Sequence, residues 1–196
     1  MLRNPIHKRM EKFESWQNIT FMACLCERMY PNYYIFCQQT EQYKASDYRK
    51  ILDLVWESLV VKGAKVNFDS QLEKLESAIP DADQFDIYGV YPAIDACAAL
   101  SELLHAHLSG ETLEHAIRVS EISIGTVAMY EMTRRGQEMT DDELKSLDEI
   151  QSELDVQWQI FRLLKECEER DIDLIKGLRT ELVGDKMSNL CIKIEQ

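Results

Sequence analysis

The chain has 196 residues, 45% of them hydrophobic and 29% charged, and its 22 basic and 35 acidic side chains give a formal net charge of -13. That length suits one domain with a substantial core, and the negative balance repels phosphate backbones and anionic bilayers, so neither nucleic acid nor membrane is an expected partner. Seven Gly and four Pro leave little material for loops, and the helix-favouring Met, Leu, Glu, Lys, Gln and Ala of the longer segments point to an all-α protein.

In chain order, Asn4 and Pro5 read as the cap and first residue of a short helix with Ile6, Met10 and Phe13 on one side. A second helix runs from Trp16 through Met29 and is apolar around most of its circumference. A proline within a helix removes a hydrogen bond and clashes with the preceding turn, so PNYYIFCQQT (31–40) is expected to start a separate helical piece capped by Asn32. Ser46 or Asp47 can cap a third helix, whose Tyr48, Ile51, Leu52, Val55 and Leu59 make the clearest amphipathic period, with Lys62 and Gly63 closing it. Asn67 caps a fourth, striped by Phe68, Leu72, Leu75 and Ile79 and stopped by Pro80. The acidic connection that follows does not make a calcium loop. Counted from Asp81, positions 5, 6 and 12 are Phe85, Asp86 and Pro92, where an EF-hand needs an oxygen ligand, glycine and glutamate.

Residues 88–108, YGVYPAIDACAALSELLHAHL, form the most evenly apolar stretch. A helix apolar on nearly every side must be wrapped by others. Lipid is excluded as the wrapper, because a span needs roughly 20 apolar residues and this run carries Asp95 and Glu102 and is followed by His105 and His107. It is therefore expected to be the buried centre. Gly110 ends it, and the short link at 109–111 predicts an antiparallel hairpin with the next helix, which runs to Arg134, Arg135 and Gly136. TDDE (140–143) is a capping box. No strong breaker follows until Gly184. A helix of about 44 residues would reach about 66 Å, so a break is expected around 146–149. Ile172, Ile175, Leu178 and Leu182 resume the apolar stripe, and residues 186–196 read as an edge segment or a loose tail. The result is a single compact domain over 1–196, with about seven to nine helices around a central apolar one.

Six cysteines lack CxxC spacing, and four of them lie in apolar runs, which makes them free core thiols. With no secretory stretch at the N-terminus, a reducing cytoplasm is the expected compartment.

No phosphate loop, dinucleotide fingerprint, nucleophile elbow or zinc pattern occurs, so no cofactor is expected. Chemistry, if present, belongs on the central helix, where Asp95 and Glu102 project from one side and His105 follows Glu102 by three residues. Glu-x-x-His is the spacing of carboxylate-bridged di-metal bundles, and Glu27, Glu57 and Glu131 could add carboxylates. The motif with histidine occurs once, since His115 follows Glu114 and Glu111 at other spacings. A metal held by Glu102 and His105 is thus the alternative to a plainer account. In the plainer account Asp95 sits at the positive end of its helix or in a buried polar cluster with Arg28, and Glu102 and His105 mark where the helix meets water. Cys24 has no local nucleophile signature. Tyr30, Tyr33, Tyr34, Tyr43 and Tyr48 form an aromatic set suited to packing or a protein interface more than to stacking on a ligand.

Three stretches, FMACLCERMYPNYYIFCQQT, VNFDSQLEKLESAIPDADQFDIYGVYPAIDACAALSELLHAHLSGETLEHA and FRLLKECEERDIDLIKGLR, resemble the YjaG-like family of bacterial proteins, a domain-of-unknown-function family. The likeness covers almost the whole chain and implies an all-helical cytoplasmic protein, while carrying over no catalytic residues. The leading expectation is a non-enzymatic protein that acts through protein contacts, including with a second copy as a homodimer. The alternative is a metal-dependent or carboxylate/histidine-dependent enzyme near Asp95, Glu102 and His105.

Overall fold

The computed structural model describes residues 4–195, so residues 1–3 and 196 of the expected domain and tail lie outside it. Its helices are α1 (His7–Met10), α2 (Ser15–Thr40), α3 (Ala45–Val60), α4 (Phe68–Glu76), α5 (Val90–Ser109), α6 (Thr112–Arg135), α7 (Asp141–Lys145), α8 (Asp148–Lys165) and α9 (Ile172–Asp185). Among the described residues the only β pairing is an isolated antiparallel bridge between Met187 and Lys193. No described helix is long and apolar enough to cross a membrane.

Local signals set most boundaries. Asn67 Oδ1 accepts from the Ser70 amide at 3.0 Å, and in the 140–143 box Glu143 Oε2 accepts from the Thr140 amide at 2.8 Å. Gly110 and Gly136 end α5 and α6 in the left-handed region, at φ 78° and 67°. The expected break appears between α7 and α8. At the N-terminus α1 begins later than expected, because Asn4 Oδ1 accepts from the Ile6 amide at 3.1 Å in a turn that precedes the helix.

Pro31 does not divide α2, correcting the expectation of a new piece at 31–40. An interior proline costs about 3 kcal/mol. Burial of Met29, Tyr30, Tyr33 and Phe36 on either side of it, at about 1.5–3 kcal/mol per large apolar side chain, exceeds that cost. Asn32 is consequently not a cap, and its side-chain amide donates to Asn189 Oδ1 at 2.9 Å.

α5 packs against α2, α6 and α4 with Ala93, Ala96, Cys97, Ala99, Leu100, Leu103 and Leu104 fully buried. It is a core helix, but one stripe through Tyr91, Asp95, Ala98, Glu102 and His105 stays open. The helix enclosed on all sides is α2, which is buried without interruption from Gln17 to Glu27 and touches α3, α5, α6, α8 and α9.

The C-terminal residues are docked, which corrects the loose-tail reading. Leu190 and Ile194 are buried, the Asn189 amide donates to the Arg28 carbonyl at 3.2 Å, and the Asn189 side chain donates to the Ser123 carbonyl at 3.1 Å.

Candidate functional site

The α5–α6 hairpin leaves one two-helix face uncovered, and the residues singled out on α5 lie along it. Being antiparallel, the helices set Asp95 beside Thr126, whose hydroxyl donates to Asp95 Oδ2 at 2.7 Å. Burial pushes the Asp95 carboxyl above its ordinary range, with the Thr126 hydrogen bond opposing the shift. Toward the hairpin turn, Glu102 Oε2 lies 2.5 Å from His115 Nδ1 and 3.5 Å from Arg118 Nη1. His105 does not share that contact. It is exposed, one turn further along, with its ring nearly parallel to that of His115 at 6.2 Å. Glu102 is therefore paired across the hairpin with a histidine the spacing rule did not select. Among the described residues no three or more His, Cys, Asp or Glu side chains are grouped so as to hold a metal ion.

Arg28 and Asp95 do not form a cluster, correcting that expectation. Arg28 pairs instead with Glu153 at 3.0 Å, the Glu153 side chain being fully buried. Ser123 Oγ and Gln157 Nε2 donate to Glu153 Oε1 at 2.7 and 2.9 Å, and Asn4 and Ser120 donate to Gln157 Oε1 at 2.8 and 2.6 Å. His7 Nε2 lies 2.8 Å from Ser120 Oγ at the end of this chain of polar groups. The sequence did contain a signal for it. Glu153 and Gln157 fall in the same helical register as Ile150, Phe161 and Leu164, so they are polar residues written into the buried stripe of α8.

The remaining candidates are spent on structure. Glu27 is buried against both terminal nitrogens of Arg49 and accepts from Trp56 Nε1 at 3.0 Å. Glu131 is held by Arg134 and Arg135, and Glu57 is exposed on α3. Burial pushes the Cys24, Cys26 and Cys97 thiols far up and that of Cys37 to about 11, which keeps them protonated and unreactive at neutral pH. Tyr33 and Tyr48 stack at 5.4 Å and donate to main-chain carbonyls, Tyr33 to that of Ala78 and Tyr48 to those of Cys26 and Ala96, so they serve packing.

Beside these polar groups the hairpin face also exposes apolar side chains. Tyr91 and Met129 are each 55% exposed, and Tyr88 stands between Tyr91 and Tyr130, with ring centroids 5.8 and 5.9 Å away. Met129 also lines an open hollow of about 380 Å³, together with Ile122, Gly125 and Thr126 and the charged Asp95, Glu102, Arg118 and Glu121. A Cβ on Gly125 would meet nothing within 4 Å.

A family model described as "Protein of unknown function (DUF416)" matches residues 5–193. The chain is 67% identical over its full length, and over the full length of the relatives, to proteins called "Uncharacterized protein YjaG" from Salmonella typhimurium and Escherichia coli K12. It is 54% identical over the same span to an "Uncharacterized protein" of Haemophilus influenzae. Among solved structures, a crystal structure of a DUF416 family protein from Shewanella baltica is similar at a TM-score of 0.91 and 31% identity, covering 98% of this chain and 100% of that one.

Proposed function

We propose that this chain, which belongs to the DUF416 family, is a non-enzymatic cytoplasmic protein that acts through protein contacts, and that it pairs with a second copy through the outer face of the α5–α6 hairpin. The observation that carries this reading is the exposure of Tyr91 on α5 and Met129 on α6, Met129 lining the hollow at Gly125. Contiguous exposed apolar side chains rimmed by polar ones mark interaction surfaces, and Tyr and Met are enriched at such interfaces.

The size of the face agrees. A helix of 20 residues such as α5 is about 30 Å long, and two helices about 10 Å apart present on the order of 600 Å² before corrugation is counted. A standard interface buries about 800 Å² per partner. Light scattering across a concentration series should give a species of twice 22.9 kDa. Tyr91→Glu and Met129→Glu should return it to the monomer with unchanged helix content. A wild-type mass that stays at 22.9 kDa at every concentration overturns the pairing.

The short Glu102–His115 contact supports a second reading, a carboxylate/histidine enzyme at Asp95, Glu102 and His105 with His115 added. Its test is elemental analysis of untagged protein. Stoichiometric transition metal that disappears in His105→Ala or His115→Ala would favour it over the first.

A further inference from the structure

Four cations gather away from the hairpin face, in a groove of about 640 Å³ between α1 and the C-terminal end of α8. In the segment HKRMEKF, burial of Met10 turns Lys8, Arg9 and Lys12 outward, and Lys165 faces them from α8. None of these four cations makes an ion pair among the described residues. The acids in the lining are Glu14 and Glu168, and Glu14 already accepts from Trp16 Nε1 at 3.2 Å.

Of the aromatic rings near the cations, Phe13 is the partly exposed one that lines the groove, and the rings behind it are stacked on one another. Phe13 lies on Phe161 at 5.0 Å and 19°, Phe161 on Trp158 at 5.5 Å and 27°, and the Arg9 guanidinium sits 4.9 Å from the Trp158 ring centroid. The walls are tied together, because Gln17 Nε2 at the start of α2 donates to the Leu164 carbonyl at 2.8 Å.

We propose that this groove binds a nucleoside phosphate, the outer face of the Phe13 ring taking the base and the Lys8, Arg9, Lys12 and Lys165 rim taking the phosphates. Its volume falls within the range of roughly 300–1,000 Å³ typical of small-ligand sites, which is far more room than a bare phosphate fills. Guanidinium and ammonium groups give charge-assisted hydrogen bonds to phosphate oxygens, and aromatic faces stack on bases. The net charge of -13 does not prevent this, since distant acids are screened beyond about 8 Å at physiological ionic strength. Within the lining four cations face two carboxylates, so the groove itself carries net positive charge for a small phosphate ligand.

The proposal is tested by calorimetric titration of the full chain with ATP in EDTA, in parallel with adenosine, inorganic tripolyphosphate, a polyglutamate peptide and an RNA oligomer. ATP should bind saturably, with adenosine and tripolyphosphate each at least tenfold weaker. The combined Lys12→Glu and Lys165→Glu variant, both positions being exposed, should weaken ATP at least tenfold while keeping the wild-type melting temperature and helix content. Four outcomes would each overturn the proposal: no saturable ATP binding, ATP affinity unchanged in the double variant, tripolyphosphate binding as tightly as ATP, or preferential binding of polyglutamate or RNA.

Discussion

His107 faces Phe68 ring to ring at 4.0 Å and 14°, and its Nε2 is buried without a hydrogen-bond partner among the described residues. Burial alone pushes its pKa from 6.5 to about 4. The unfolded chain therefore binds a proton that the folded one refuses between those values, and stability must fall as pH drops through that window. A shift of this size is worth roughly 3 kcal/mol at most, at 1.36 kcal/mol per unit. Urea unfolding at pH 7 and pH 4.5 should show part of that loss. His107→Phe, which keeps the stacked ring and removes the orphaned nitrogen, should lose less stability over the same interval. Glu153 presents the opposite situation, a buried charge with every oxygen engaged. Glu153→Ala strands Arg28 and should cost about 3–5 kcal/mol in urea unfolding, with Glu153→Gln costing clearly less because its amide oxygen still accepts from Ser123. Neither pairing could be read from spacing. Glu102 and His105 fitted a metal rule and Arg28 and Asp95 fitted a charge rule, yet each acid met its partner from a different helix.

At the scale of elements, the signals that worked were those whose physics is complete within one turn. The Asn67 cap, the 140–143 box and the stops at Gly110 and Gly136 all satisfy orphaned backbone groups with residues a few positions away. Pro31 shows the limit of local reasoning, since its cost is also local but the burial that outweighs it comes from distant residues such as Tyr48 of α3, Ala78 and Phe85. The C-terminal segment shows the same thing in reverse. By sequence it reads as an edge segment or a loose tail, but Asn189 satisfies Ser123, Asn32 and the Arg28 carbonyl together. Deleting residues 187–196 removes the buried Leu190 and Ile194, uncovers the apolar surface they pack against, and leaves the groups that Asn189 served without partners. Each such polar group is worth about 1–3 kcal/mol and each apolar side chain about 2 kcal/mol. A thermal melt of the truncated chain should therefore fall by roughly 10 °C or more, whereas a melt within about 2 °C of the full chain would show the segment to be idle.

For the whole molecule, α2 is the axis and the other helices are arranged around it. The main core draws on α1 to α6, α8 and α9, and a smaller cluster of Ile124, Val127, Leu144, Leu147, Ile150 and Leu190 joins α6, α7, α8 and the C-terminal segment. With that much apolar surface turned inward, the exposed Tyr91 and Met129 of the hairpin face are what the proposed pairing would cover, and the solution mass tests it. The amino-acid sequence by itself determined the helical class, the absence of a membrane-spanning helix among the described residues, most helix ends and the hairpin, because helix period, capping and glycine stops act over fewer than about eight residues. It also carried the family likeness along nearly its full length. Only the tertiary structure decided that α2 is the helix closed on every side, that His115 and not His105 meets Glu102, that Glu153 receives Arg28, and that lysines from α1 and α8 share one groove. Those outcomes depend on how each helix is rotated about its axis, and that rotation is set by packing summed over the whole core, not by any single stretch of chain.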